Sequence, residues 1–585
     1  MNVYFFQCQE DYNNNMYLPY SSGVLWAYIS QFKDITNNYK LVDIYFEKID
    51  PIKYLDKIKN IPPDVVLFSN YGWNTAYHLT IAQLIKKHYA NCKIIIGGPN
   101  AQQDQQYLQD HNYVDISVWG EGEQTLLELF RALCTHNDLS SVNGLAYILN
   151  NNYILTPIRD RFTDVNLIPS PYLTGLFDNF YERYDYNFMP VWETNRGCPY
   201  SCTFCDLGAE YYSKVYQFDT ERLLKEIDYF CEKKTEYIEI ADANFGIIKR
   251  DLELTKYIKK KFDNTGYPQK ISATWAKSSP DRLFEMSQIL ESINRSGITL
   301  ALQSSNTTAL QNIKRINIAN EKLETISKKY AAHNMQTYHD FIIGLPGETL
   351  DSWKRGLLYV VDINPEGWIF GHPLEAYKNT EFSDINYINK HNLEFAITPQ
   401  VSFFAKRNKN IPIEYGKYVI SSNTLSRTDY IECFLFKWFL ISVHSLGWAN
   451  YTAHNCGESA SIFYNKFYDW MKKNNSLLNE QYIKTKECLE HTLKGNFWGR
   501  QMFGDDDIYW EYESASCIDF EKNRSRFFND LKEFLLNMYP NLNINIVDQN
   551  DHQVVSFDNS KSFKDFCIEI YWYGRRKKAW KVSVK

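Results

Sequence analysis

The sequence predicts an α/β protein in three parts: a doubly wound, Rossmann-like domain over residues 1–140, a partial (β/α)6 barrel of TIM type over 190–390, and a mainly helical, aromatic-rich domain over 391–585. Three observations carry this reading. Five short apolar runs without polar alternation open the chain, separated by helical patterns, as parallel strands covered on both faces require. A strand–helix alternation then repeats six times, with polar residues gathered at the strand ends. Beyond about residue 400 the alternation stops and aromatic helices take over.

In the first part, Val3–Phe6, Leu41–Tyr45, Val65–Ser69, Lys93–Ile96 and Asp115–Trp119 read as strands, with helices such as Ala76–Tyr89 and Glu123–Cys134 between them. Doubly wound sheets bind ligands beyond the carboxyl ends of their strands, so the turns there matter. Tyr20 and Ser21 follow strand one, Ser69, Trp73 and Asn74 strand three, Gly97 and Gly98 strand four, and Gly120, Glu121 and Gly122 strand five. Glycine lets a backbone amide approach a ligand, and a helix N-terminus attracts anions. Each glycine pair by itself equally suits a plain tight connection.

Residues 141–189 read as a linker, with a hairpin of Val142–Ile148 and Tyr153–Pro157 over three asparagines, and prolines 157, 169 and 171 marking the crossing. Six barrel strands follow. The first leads from Pro190 into a cysteine-rich loop, and the second, Tyr237–Ile240, ends at Asp242 and Asn244. The third, Ile271–Thr274, ends at Trp275, Ala276 and Lys277, and the fourth, Thr299–Leu302, at Gln303, Ser304 and Asn306. The fifth, Tyr338–Ile343, carries His339 and Asp340 and runs into Gly344 and Glu348; the sixth, Gly367–Phe370, runs into His372 and Glu375. A barrel body is filled with apolar side chains, so polar residues at one end mark a site. Glu348 equally suits the cap of a helix beginning at Thr349.

The last part predicts helices over 429–448, 459–474, 479–494 and 524–538, then strands at Ile544–Val547, Cys567–Trp572 and Trp580–Val584. His444, His454 and Cys456 lack ligand spacing and read as structural. This part is expected to close the open barrel and shape substrate choice.

Composition narrows the function. With 44 Tyr, 36 Phe and 14 Trp in 585 residues, the chain can bury flat surfaces or line a pocket for a large planar ligand. A net charge of −7 excludes a general nucleic-acid binder, which needs a basic face. The basic cluster Arg575–Lys578 reads as a solvated turn. Ile431–Trp448 is the most apolar run, but Glu432, Lys437 and His444 interrupt it, which predicts a buried helix and no membrane span. The chain opens on strand-like sequence with no secretory leader, and its cysteines outside the loop are scattered, as reduced cytoplasmic thiols are.

The loop is the most specific signal. Cys198, Cys202 and Cys205 stand at C-x3-C-x2-C spacing, with Phe204 between the last two. Three thiolates can hold iron and leave one position open. Structural zinc would need a fourth ligand and a second knuckle, and a dithiol redox motif would leave Cys198 idle.

At these residues the chain resembles the radical S-adenosylmethionine (SAM) enzymes, whose first barrel loop is C-x3-C-x-aromatic-C. The resemblance implies a [4Fe-4S] cluster on Cys198, Cys202 and Cys205 whose fourth iron is chelated by SAM, reductive cleavage of SAM to a 5'-deoxyadenosyl radical, and an external electron donor. It implies SAM contacts at Phe204, Asp242, Asn244, Gln303, Ser304 and Gly344, although the commoner G-G-E pattern at strand two is missing. The first part looks like the cobalamin-binding domain of one branch of these enzymes, which places cobalamin at Tyr20, Ser21, Ser69, Trp73, Asn74, Gly97, Gly98, Gly120, Glu121 and Gly122. The D-x-H-x-x-G motif that supplies a histidine to cobalt is absent; after strand one the chain reads Gln7-Cys8-Gln9-Glu10-Asp11-Tyr12. The implied activity is methyl transfer to an unactivated centre of a metabolite or peptide. The alternatives are a radical SAM cyclase or rearrangement enzyme, and a non-catalytic iron–sulfur electron carrier. No catalytic acid, base or nucleophile stands out. The resemblance covers roughly residues 1–385.

Overall fold

The computed structural model describes residues 1–557 and 562–567, apart from 12–13, 136–137, 277, 295–296, 336 and 366. The chain begins with a seven-stranded sheet of β1 (Asn2–Gln9), β2 (Lys40–Glu47), β3 (Val65–Ser69), β4 (Lys93–Gly97), β5 (Ile116–Val118), β6 (Leu145–Leu149) and β7 (Asn152–Leu155). The spatial order is β2-β1-β3-β4-β5-β6-β7, and the first five strands are parallel. The predicted hairpin is β6–β7; it adds antiparallel to β5 and extends the sheet. Strand direction of connection reverses between β1 and β3, and an open α/β sheet forms its ligand crevice at that point.

Both faces of the sheet are covered. Val3 and Phe5 point into one core and Tyr4 and Phe6 into another, all at 1% exposure or less. This explains why the strands lack polar alternation.

Six barrel strands follow: β8 (Val191–Trp192), β9 (Tyr237–Phe245), β10 (Lys270–Trp275), β11 (Ile298–Thr299), β12 (Thr337–Ile343) and β13 (Trp368–Pro373). They form two parallel ladders, β8-β9-β10 and β11-β12-β13. The predicted fourth strand is regular only over Ile298–Thr299. Beyond it the chain stays against β12 through Leu300 N to Tyr338 O (2.7 Å) and Leu302 N to Asp340 O (3.1 Å), until Gln303 bends it at φ +65°. A short parallel pair, Asn15–Tyr17 with Asn187–Met189, ties the loop after β1 to the segment entering the barrel.

The last part opens with an antiparallel pair, β14 (Glu394–Pro399) and β15 (Tyr415–Ser421). Helices Arg427–Leu440, Ala460–Met471, Leu477–Thr492, Tyr512–Lys522 and Arg524–Met538 follow. The apolar run 431–448 is a buried helix ending in one π-helical turn, Ile441–Ser445. Aromatic packing holds this layer: the Trp448 ring meets Phe520, Phe527 and Phe528 at 5.0–5.7 Å between centroids. The strand expected at Ile544–Val547 is instead part of the helix Asn545–Gln553, whose buried positions, Val547 and Asn550, are three apart, a helical period. Cys567 closes a short helix, Phe563–Cys567. The remainder of the strand expected from it, Trp580–Val584, Arg575–Lys578 and Lys277 lie outside the described residues. No helix among the described residues is long and apolar enough to cross a membrane.

Candidate functional site

The cysteine loop is clamped at its base. After β8 the chain pairs Asn195–Arg196 antiparallel with Tyr216–Gln217, so residues 197–215 close on themselves. Gly197 makes this possible: its φ is +117°, and a Cβ there would stand 2.1 Å from the Lys214 carbonyl oxygen. Within the loop, Cys198 N donates to Tyr212 O (2.9 Å) and Cys205 N to Cys202 O (3.1 Å). Phe204 anchors the loop in a small core that includes Ala309, Ile313 and Leu345.

Burial pushes the Cys205 thiol above its ordinary range, and the charges of Cys198 and Cys202 push the same way. Two donors face sulfur: Asn244 Nδ2 stands 3.2 Å from Cys198 Sγ, and Arg315 Nη1 3.8 Å from Cys202 Sγ. Donors of this kind stabilise thiolate and tune iron–sulfur clusters. Among the described residues no three His, Cys, Asp or Glu side chains converge as around one metal ion. Zinc, with ligands at roughly 2.0–2.3 Å, demands that convergence. A four-iron cluster takes one thiolate at each iron, and the clamped loop offers three cysteines at C-x3-C-x2-C spacing for it.

The expected SAM residues cluster at the same mouth, with different duties. Asp242 is 2% exposed and accepts from Thr194 N (2.7 Å), Thr194 Oγ1 (2.5 Å), Asn195 N (3.2 Å) and Asn195 Nδ2 (2.6 Å). These bonds occupy the carboxylate's acceptor sites, so here it anchors the strand that launches the cysteine loop. Burial pushes it up to about 7 against the pull of the Thr194 and Asn195 donors. Ser304 is fully buried and bonded to Glu348 at 2.5 Å. Glu348 also accepts from Ser352, but the helix is capped by Thr349, which forms a capping box with Ser352, so Glu348 braces Ser304 and Ser352 and is not itself the cap. Gln303 sits half-buried at its bend, and Gly344 turns under β15 with Val419 O overhead. Trp275 and His339 are core: the first packs on Phe245, the second is pushed down to about 4 by burial. His372 and Glu375 stand at the mouth, His372 3.6 Å from Asp340 and Glu375 accepting from Gln400 at 3.0 Å.

At the crevice between β1 and β3 Ser21, Ser69 and Asn74 of the expected cobalamin residues lie together, while Tyr20 bonds Glu193 and Glu121 pairs with Arg161. Ser21 Oγ lies 2.8 Å from Gln7 Oε1, 2.9 Å from Ser69 Oγ and 3.2 Å from Tyr71 OH. Trp73 is half exposed and stacks on Tyr71 at 4.5 Å, offering a flat apolar face. Asn74 is internal: it bonds Cys8 O, Ser69 O and Tyr71 N and shapes the turn. Gly97 ends β4 and Gly98, at φ +95°, lets the chain pass Asn70, whose carbonyl oxygen would be 2.7 Å from a Cβ. Gly120 faces the Tyr211 hydroxyl and Gly122 begins the helix to Thr135 beside Leu25. A polar crevice floor beside a flat aromatic face fits a large planar cofactor. Below it, His78 accepts from Cys8 N at Nε2 (3.0 Å), so the proton sits on Nδ1 and is shared with Asn70 Oδ1 (2.8 Å). Burial pushes His78 down to about 3, which keeps it neutral.

Charged residues join the two sites; of these the sequence singled out Glu121 alone, and as a cobalamin contact, whereas here it is engaged by Arg161. Arg196, two residues before Cys198, is 2.8 Å from Glu123 and 3.0 Å from Glu193, and Glu193 accepts from Tyr20 OH at 3.1 Å. Glu121 is buried against Arg161 (3.0 Å), and its backbone amide donates to the hydroxyl of Tyr211 in the cysteine loop (3.1 Å). From the last part, Glu414 accepts from Ala76 N and Tyr77 N at the start of the helix Thr75–His88. The Arg196–Glu123, Arg161–Glu121 and Glu414 contacts join positions at least forty residues apart, for which spacing carries no sequence signal. A cavity of about 680 Å3 opens where the three parts meet, lined by Trp73 from the first, Phe370–Pro373 from the barrel, and Gln400, Tyr418 and Trp498 from the last.

Comparison with known proteins agrees with this arrangement. The Radical SAM superfamily model matches residues 192–357 and the B12 binding domain model residues 27–130. The cobalamin-dependent radical SAM methyltransferase TokK of Streptomyces tokunonensis is 30% identical over 89% of this chain and 80% of its own length. The 2-(S-pantetheinyl)-carbapenam-3-carboxylate methyltransferase of Streptantibioticus cattleyicolor is 29% identical over 78% of this chain and 68% of its own. In fold, the solved cobalamin-dependent S-adenosylmethionine radical enzyme OxsB with aqua-cobalamin bound matches with a TM-score of 0.58 over 99% of this chain and 84% of that one, at 15% identity. The cysteine loop, the crevice and a relative aligned along nine-tenths of the sequence lead to one conclusion: the chain belongs to the cobalamin-dependent radical SAM methyltransferases.

Proposed function

We propose that this enzyme methylates an unactivated centre of a small-molecule substrate bound in the cavity between the three parts. The observation that carries the reading is that cavity, to which the barrel mouth, Trp73 of the crevice and the last part all contribute side chains. Its volume is that of a small-ligand site.

In this reading Cys198, Cys202 and Cys205 hold the cluster, Asn244, Gln303, Gly344 and the Phe204 loop surround SAM, and Ser21, Ser69, Trp73 and the glycine turns hold cobalamin. When bound, these cofactors supply an electron, a hydrogen-abstracting radical and a methyl donor. The protein's part is placement. Asp242 fixes the strand before Cys198, Asn244 donates to its sulfur, and the buried Arg196–Glu123 contact sets the barrel mouth against the sheet. The aromatic lining keeps water from the reacting centre. An external donor supplies the electron. All twelve cysteines are free thiols, which suits the reducing cytoplasm.

The test is anaerobic purification with cobalamin supplied, followed by iron, sulfide and corrinoid analysis and incubation with SAM and reductant. Near-stoichiometric iron and corrinoid with SAM cleavage support the reading. Protein that takes up iron but no corrinoid ends it.

A further inference from the structure

The cavity is lined by side chains of both signs, and two of its cations have no carboxylate to themselves. The acids are engaged. Glu10 pairs with Lys48 at 2.8 Å and Glu513 with Lys437 at 2.5 Å. Glu414 is taken by two helix amides, Asp11 by the Asn14 amide, and Glu511 has a partner as well.

Two cations retain capacity. Lys406 is exposed, and among the described residues no carboxylate pairs with it. Arg407 lies 3.9 Å from Asp507, a carboxylate that Lys409 approaches more closely at 3.2 Å. The Nε of Arg407 is buried with no hydrogen-bond partner. Its position is fixed nonetheless: the guanidinium lies over the Phe497 ring, 5.0 Å from the centroid, and the main-chain amide donates to Asp507 O at 3.0 Å. A guanidinium held on an aromatic platform and short of acceptors is preorganised for a carboxylate or phosphate.

The geometry points to an anion subsite in this cavity: the substrate is a small organic anion whose carboxylate or phosphate meets Arg407, with Lys406 alongside, and whose apolar body lies along Phe403, Phe497 and Trp498. This rests on the cavity being the substrate site. What it adds is the residue that meets the anion, Arg407, in this cavity.

The test titrates three probes into the holoenzyme by ligand-observed NMR: 4-phenylbutyrate, its primary amide, and 3-phenylpropyl phosphate. At least one anion is expected to bind about tenfold more tightly than the amide, and which one does so separates the two anion chemistries. Arg407→Met is expected to abolish the preference while iron and corrinoid contents stay at the wild-type level; Arg407→Lys, which keeps the charge and loses the fork, is expected to retain part of it. Equal binding of amide and anions, no saturable binding by any probe, or a preference that survives Arg407→Met overturns the proposal. Failure of the wild-type protein to bind corrinoid or cleave SAM is a separate result and removes the functional reading, not the anion preference.

Discussion

Arg196 and Glu123 form a buried contact of 2.8 Å between the strand that launches the cysteine loop and the helix that follows β5. The side chains are 15% and 5% exposed. Each belongs to a different cofactor region, so the pair fixes the distance between them.

The first prediction concerns that pair. Arg196→Met leaves Glu123 buried beside fewer cations, and breaking a buried pair from one side costs about 3–5 kcal/mol. The expected result is lower thermal stability and, at permissive temperature, 5'-deoxyadenosine formed with less methylated product, while corrinoid and iron remain bound. Combining Arg196→Met with Glu123→Gln should recover part of the stability, because the stranded charge is gone. Strictly additive losses in that cycle would show that the two residues do not act together.

A second prediction follows from the sulfur contacts. Cys198→Ala, Cys202→Ala and Cys205→Ala should each lose iron and keep corrinoid. Asn244→Ala should keep iron but shift the cluster's reduction potential to a more negative value, since a donor to Cys198 sulfur favours the reduced, more negative cluster. An unchanged potential in spectroelectrochemistry would mean that Asn244 does not reach the sulfur in the holoenzyme.

His78 sets a pH limit on the first domain. Its folded value is about 3 against 6.5 for the free side chain, so below pH 6.5 the unfolded chain takes up a proton that the folded one refuses. The stabilisation is complete above pH 6.5 and is lost as pH falls towards 3, by about 2 kcal/mol at pH 5. His78→Gln does not titrate in this range, so its deficit relative to wild type should narrow by about that amount between pH 7.5 and pH 5 in urea unfolding. A deficit independent of pH would contradict a neutral buried His78.

Glu414 closes the last part onto the first. Replacing it with Ala leaves the amides of Ala76 and Tyr77 uncapped, at a cost of about 1–2 kcal/mol. Hydrogen exchange should speed up at the start of the helix Thr75–His88, next to Trp73, and leave the β4–β5 core protected. Uniform acceleration across the sheet would indicate a global effect instead.

Much of this molecule was legible because its signals are local. Period and length identify Val65–Ser69 as a covered strand, and three thiols within eight positions identify the loop without any tertiary information. Where a local signal was weak, the reading slipped: Ile544, Ile546 and Val547 suited a strand, but the segment is helical and buries Val547 and Asn550, three positions apart. The sequence placed the strand-end residues as a group at one end of the barrel but could not divide them. Asp242 and Ser304 look like ligand contacts in a list, and only their partners Thr194, Asn195 and Glu348 show that they are engaged within the protein.

The sequence by itself determined the three-part architecture, the cysteine loop and the family, because each rests on residue type and spacing along the chain. Tertiary structure alone decided strand order, the Arg196–Glu123 and Glu414 links, and the cavity with its two underused cations. Those depend on charges more than seventy residues apart being brought within 3 Å, and on which side chains are left over once every nearer partner has been taken.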